Sequence, residues 1–197
     1  MEFDKARAFI LHNLECNLPE ILKYHSYTHV LDVYDAAERL ASIEGVSGRD
    51  LVLLRTAVLY HDCGFTIQLH NHEIIGCGIA RETLPQFDYT SEDIEQICGM
   101  IMATKIPQTP NNLLEQIICD ADLDYLGRTD FWDIGNKLFQ ELMSLNAIKS
   151  EQEWNRIQLV FLNQHQYFTN SAKNLRAVEK ENHLQKIKHI VANYSTP

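Results

Sequence analysis

Apolar residues recur along this chain at intervals of three and four, the spacing that lines one face of an α-helix. No pair of segments shows the two-residue alternation of a sheet. A first helix is expected over about 3–16, with Phe3, Ala6, Phe9, Ile10 and Leu14 as its apolar stripe. The stretch from Pro19 to Leu22 reads as a short piece or a turn. A longer helix follows over about 27–44 and stops near Gly45. On its wheel His29, Val33, Ala36, Ala37 and Leu40 share one face, and Asp32, Asp35, Glu38 and Arg39 the opposite one, so His29 points inward. Asp50 is the expected N-cap of a central helix, nearly all apolar through LVLLRTAVLY, that runs to about Cys63 with Gly64 as its stop. Further helices are expected at about 70–84, 91–103 and 112–126, with Pro85 ending the first and Ser91 capping the second. The proline- and asparagine-rich KIPQTPNN reads as a loop. From about Thr129 two or three more helices follow, with Trp132, Phe139, Trp154, Leu159 and Phe161 as core candidates. The pattern predicts an all-α chain, a compact single-domain bundle of roughly seven to ten helices. Its motifs fall within about 24–126, and 127–197 forms a helical extension.

Composition narrows the picture. Hydrophobic content of 45% suffices for a real core. A net charge of −10 argues against a protein that coats nucleic acid, which needs clustered Lys and Arg. It leaves room for a small phosphorylated partner, because a bound cation can supply the local positive charge. The five cysteines, at 16, 63, 77, 98 and 119, are odd in number and form no CxxC. The opening MEFDKARAFI is charged where a signal peptide would turn apolar, so a reducing cytoplasm is expected. No apolar run approaches the roughly 18 residues of a membrane helix.

Three short pieces carry the candidate chemistry: His29 in YHSYTHVLDV, the pair His61-Asp62 in AVLYHDCGF, and Asp122 in IICDADLDYLG. A single histidine on an apolar face is most simply a hydrogen-bonded core residue, and Asp62 alone could pair with an arginine. The adjacent pair is different. Burying both groups at the end of an apolar helix is costly without a partner, and a divalent cation satisfies both. Asp62 also faces the negative end of its helix dipole, a penalty that a cation reverses. Periodicity does not choose among Asp120, Asp122 and Asp124; the wheel puts Asp124 nearest the apolar face and Asp122 at its edge. His70, His72 and Glu73 read equally as an exposed helix start capped by Asn71, or as a group from which His72 reaches a metal-bound water, a phosphate or a second cation. His25 reads as a packing or rim residue, His165 as ambiguous among aromatics, and His12, His183 and His189 as surface residues. Lys105 and Arg128 are the cations nearest these motifs, either solvated charges or the neighbours a phosphate needs.

Residues about 24–126 resemble the HD-domain superfamily of metal-dependent phosphohydrolases. The resemblance rests on the ordered pattern His29, His61-Asp62, then Asp122 within Asp-Ala-Asp-Leu, and on Gly64 after the pair. It implies a metal bound by His29, His61, Asp62 and Asp122, and hydrolysis of phosphate esters, commonly of nucleotides or nucleotide-derived signals. The segment NHEIIGCGIARETL resembles the family's His-Glu helix, which implies a site role for His72. Many two-metal members carry a further histidine where this chain has Thr104 in MIMATKIP, so a single metal is expected.

The expectation is therefore a metal-dependent phosphohydrolase acting on a nucleotide or nucleotide-like ester through a metal-activated water. The ligand set suits Mn, Fe, Co, Ni or Zn better than Mg. Asp62 would orient the water, His72 would protonate the leaving oxygen or hold the phosphate, and Lys105 and Arg128 would offset charge on the substrate. The rivals are a non-catalytic nucleotide- or protein-binding module with a structural metal, and two-iron oxygen chemistry, which needs more histidine ligands.

Overall fold

The computed structural model describes residues 1–194. Among them nine α-helices carry the chain and no strand occurs, so the all-α expectation holds. They are α1 (Phe3–Asn17), α2 (Tyr27–Ile43), α3 (Gly48–Tyr60), α4 (His72–Thr83), α5 (Ser91–Ala103), α6 (Leu113–Asp122), α7 (Phe131–Ser144), α8 (Glu151–Gln164) and α9 (Asn170–Asn193), with short 3-10 turns at Cys63–Thr66, Leu84–Phe87 and Asp124–Gly127. None of these helices is long and apolar enough to cross a membrane. The chain groups into two compact units. One comprises Met1–Glu20 and His25–Asp122; the other comprises Ile21–Tyr24 and the chain from Leu123 onward.

In the first unit α3 is the central element. Leu53, Leu54, Ala57, Val58, Leu59 and Tyr60 are all buried, and α1, α2, α5 and α6 pack around it. A helix apolar on nearly every side has no solvent face to show, which is why its sequence lacks a polar stripe. The start of α3 differs from expectation. Ser47 holds the N-cap position and Asp50 sits inside the first turn, where its charge favours the helix dipole. The stripe of α1 is narrower than expected: Ala6, Ile10 and Leu14 are buried, while Phe9 stays 39% exposed and leans on Phe87.

The N-cap of α5 is Thr90 and not Ser91, one residue earlier than expected, because Thr90 builds a complete capping box. The amide of Asp93 donates to Thr90 Oγ1 at 3.2 Å, and Asp93 Oδ2 accepts from the Thr90 amide at 2.8 Å. Asp93 Oδ1 also lies 2.6 Å from Arg49 on α3, which ties the two helices. Gly45 takes the left-handed conformation that stops α2, as its sequence position implies.

In the second unit, Tyr125, Leu126, Phe131, Leu162, Leu184 and Ile187 make the core. Off-by-one packing corrects one expectation: Phe131 is buried, whereas Trp132 is 39% exposed. His183, expected at the surface, is buried. Its ring stacks on Phe131, and Nδ1 donates to the Leu126 carbonyl at 3.0 Å. The turn Asp124–Gly127 lies against α9. A side chain at Gly127 would press into the Arg176 backbone, and the Arg176 guanidinium grips the buried Asp124 carboxylate at 2.7 and 3.0 Å.

Burial pushes the Asp93 carboxyl up, but its bonds to Thr90 and its pairing with Arg49 outweigh burial and hold the pKa below the usual carboxylate value. A depressed folded pKa stabilises the protein above the unfolded value of about 3.9, and that stability is lost as pH falls through the folded value. Arg49 is half exposed, so the cap supplies most of the effect. Asp93→Asn should therefore cost about 1 kcal/mol at neutral pH. In urea titrations the gap between variant and wild type should close as pH drops below about 4. A gap constant from pH 7 to pH 3 would reject this account.

Candidate metal centre

Each side chain of the candidate centre sits at a helix end. His29 occupies the first turn of α2, where its amide donates to the Ser26 N-cap hydroxyl at 3.4 Å. His61 is the C-cap of α3, and Asp62 begins the 3-10 turn that follows. Asp122 is the last residue of α6. His72 opens α4.

These ends converge. One nitrogen each from His29 and His61 and one oxygen from Asp122 lie within 4.8 Å of one another. Asp122 Oδ1 is 3.2 Å from His29 Nε2 and 3.7 Å from His61 Nε2. Asp62 Oδ2 is 3.3 Å from His61 Nε2 and 3.5 Å from His29 Nε2. The other Asp62 oxygen turns to His72 Nε2 at 3.5 Å, so this carboxylate bridges the cluster and α4.

The His61 tautomer follows from its neighbours. Nδ1 lies 2.7 Å from the Val58 carbonyl, which can only accept, so Nδ1 carries a proton and the neutral ring presents its lone pair at Nε2. His61 Nε2 and Asp62 Oδ2 are both buried, and neither makes an aligned hydrogen bond despite their proximity. Lone pairs aimed at one point in a dry site are what a cation's ligands look like. Two imidazoles and two carboxylates fit a borderline transition metal better than magnesium.

The electrostatics agree. Burial pushes the His61 imidazole down, yet the carboxylates of Asp62 and Asp122 outweigh it and hold the pKa well above its ordinary value. Burial likewise raises Asp62 and Asp122, and the surrounding imidazoles override it and keep both far below the carboxylate range. The His72 imidazole is held below its ordinary value by burial, which Asp62 and Glu73 offset only in part.

A sequence model of the HD domain matches residues 26–124. The chain belongs to the HD-domain family. An uncharacterized protein of Clostridium beijerinckii is 30% identical over 124 residues, which make up 61% of this chain and 69% of that one. Among solved structures, Bacillus subtilis YpgQ in complex with ADP is similar with a TM-score of 0.66 at 17% identity, covering 98% of each chain. A predicted HD superfamily hydrolase from an uncultured Thermotogales bacterium is similar with a TM-score of 0.60 at 18% identity, covering 95% of this chain and 92% of that one. At these identities the two structures speak for the HD-domain fold.

The remaining expected site residues of this HD domain are placed as follows. Lys105 is exposed beyond α5, on the rim of a groove of about 400 Å³ that Met102, Ile106 and Glu115 also line. Arg128 belongs to the second unit, where its guanidinium grips Asp130 at 2.9 and 2.6 Å and lies 3.6 Å from Asp124. Thr104 turns its hydroxyl back to the Ile101 carbonyl at 2.8 Å. Asn71 stands at the start of α4 in a left-handed conformation, but its side chain makes no cap bond. His70 is exposed, and Glu73 is buried with Oε1 3.6 Å from His72 Nε2.

One residue at this site, Phe65, escaped the sequence reading: it lies flat on the His72 ring, with centroids 3.9 Å apart, and His25, expected as a packing or rim residue, leans on Phe65 at 4.5 Å. Gly64 is not a left-handed helix stop: it lies inside the 3-10 turn, with no positive φ. A Cβ there would fall 2.0 Å from the His72 carbonyl oxygen. The glycine lets the start of α4 press onto the turn that carries Asp62. Its identity was visible in the sequence; its purpose was not, because close approach leaves no periodic signal. Gly64→Ala must push the His72 backbone away, at about 1–3 kcal/mol or more of stability. We expect a lower melting temperature and weaker Co²⁺ binding by calorimetry; a variant matching wild type in both would contradict the tight approach.

Proposed function

We propose that this HD domain hydrolyses a phosphate ester of a nucleotide or nucleotide-like small molecule, with one divalent transition metal held by His29, His61, Asp62 and Asp122. The observation that carries the reading is the convergence of His29, His61 and Asp122, each from a different helix, within 4.8 Å. A bound divalent cation would supply Lewis-acid activation of water and of a phosphoryl oxygen. The chain's own groups would do the rest. The Val58 carbonyl keeps the His61 lone pair at Nε2. Asp62 serves two ends, one oxygen toward the ligand nitrogens and the other toward His72, so it orients both the water and its neighbour. His72, steadied by Phe65, is positioned to hold the phosphate or hand a proton to the leaving oxygen. Lys105 offers a mobile positive charge for the substrate phosphate. Thr104 supplies no imidazole where a second ion would need one, which supports one metal over two. The ADP bound to the similar YpgQ structure supports a nucleotide-like ligand.

Two measurements check this. Elemental analysis of protein purified without chelator should give close to one transition metal per chain, falling to near zero in His61→Ala. Assays with Mn²⁺, Co²⁺ or Ni²⁺ against a phosphomonoester, a phosphodiester and a nucleotide panel should find one hydrolysed class. Asp62→Ala should lower kcat/KM by about a thousandfold, near the upper range for losing an essential catalytic group. Wild type as inactive as Asp62→Ala throughout, with tight nucleotide binding that chelator leaves intact, would make the protein a binding module instead.

A further inference from the structure

The second unit holds a pocket of about 270 Å³ between α7 and α8, remote in character from the metal centre and lined by residues that the reaction does not use. Both walls are spelled at helical spacing: Trp132, Gly135 and Asn136 on α7, and Trp154, Asn155 and Gln158 on α8. A seam between two helices is ordinarily apolar, because a buried amide is costly unless it is bonded. Here Asn155 and Gln158 are both buried. They settle each other in a chain: Gln158 Nε2 donates to Asn155 Oδ1 at 3.0 Å, and Asn155 Nδ2 donates to the Tyr194 hydroxyl at 2.5 Å. That chain uses one of the two Gln158 N–H groups, leaving the second N–H and Oε1 as an unspent donor–acceptor edge.

Gly135 explains why this edge is open. A glycine inside a helix costs about 1 kcal/mol against alanine, and no left-handed φ requires it at this position. A Cβ built there would meet only Gln158 Oε1, at 3.6 Å. The missing side chain thus leaves a floor in front of the Gln158 amide, with a tryptophan on each wall.

We propose that this pocket binds an adenine base. Both tryptophans line the pocket, and Trp132, 39% exposed, has ring surface available for stacking, which is worth about 1–3 kcal/mol per base. The glutamine edge matches the paired donor and acceptor of adenine: the exocyclic amine donates to Oε1 while the adjacent ring nitrogen accepts from Nε2. At about 270 Å³ the pocket lies just below the usual range of small-ligand sites, the size class of a fragment such as one base. The reading is independent of the phosphohydrolase assignment, since no residue of the metal centre takes part.

The chain has two tryptophans, Trp132 and Trp154, and both line this pocket, so intrinsic tryptophan fluorescence reports on it alone. The experiment titrates adenosine into the full chain in EDTA, with excitation at the tryptophan edge and uridine as comparator. Adenosine should quench saturably, and uridine should bind at least tenfold more weakly. Gln158→Met should weaken adenosine at least tenfold, and Gly135→Ala several-fold while raising the melting temperature. The alanine variant keeps the test decisive if the methionine variant folds poorly. No saturable quenching, equal affinity for uridine, unchanged affinity in a folded Gly135→Ala or Gln158→Met, or binding lost in EDTA would each overturn the proposal.

Discussion

Two imidazoles and two carboxylates turned toward one another in a dry interior set the terms for the first unit. Without a cation, such groups depend on protons and on mutual attraction, and desolvation consumes much of that attraction. The raised His61 and the strongly depressed Asp62 and Asp122 express that mutual attraction. The surrounding helices hold these groups where together they attract positive charge.

The frame does this by ending helices together. α3 and α6 deliver Asp62 and Asp122 at or just past their C-termini, where the helix dipole is negative and a carboxylate is least welcome. Two such ends facing a common point sum to a field that favours a cation and disfavours leaving the point empty of charge. The apolar body of α3 fixes the position of one end, because a helix whose second half is buried nearly all round can neither slide nor rotate without opening voids. Fold and site are therefore one problem: the core sets the aim of the ligands.

Much of this was legible in the chain. Helical spacing named the all-α class and turned His29 inward, and adjacency singled out His61-Asp62. The carboxylate beyond them was harder. A wheel drawn over 112–126 ranked Asp124 as the inward group, but the helix stops at Asp122, and the following 3-10 turn hands Asp124 to Arg176 instead. An ion pair between residues 52 apart leaves no trace in local pattern. His183 was missed for a related reason. α9 is so rich in charge that its buried side hardly differs from its wet one, and only contact with Phe131 and Leu126 reveals it. Capping was read to within a residue at α5 and missed by three at α3; Thr90 takes the cap over Ser91 because only Thr90 has a carboxylate, Asp93, three residues on to return the bond.

The contact that Gly64 permits also separates two demands that usually conflict. Because α4 is seated directly on the turn bearing Asp62, its placement does not rely on the connection that precedes it. The intervening residues, from Ile67 to Asn71, are all exposed. That stretch can lengthen, shorten or change its chemistry at little thermodynamic penalty. Those five outward-facing positions can therefore be rewritten while the inner ring of nitrogen and oxygen donors stays fixed.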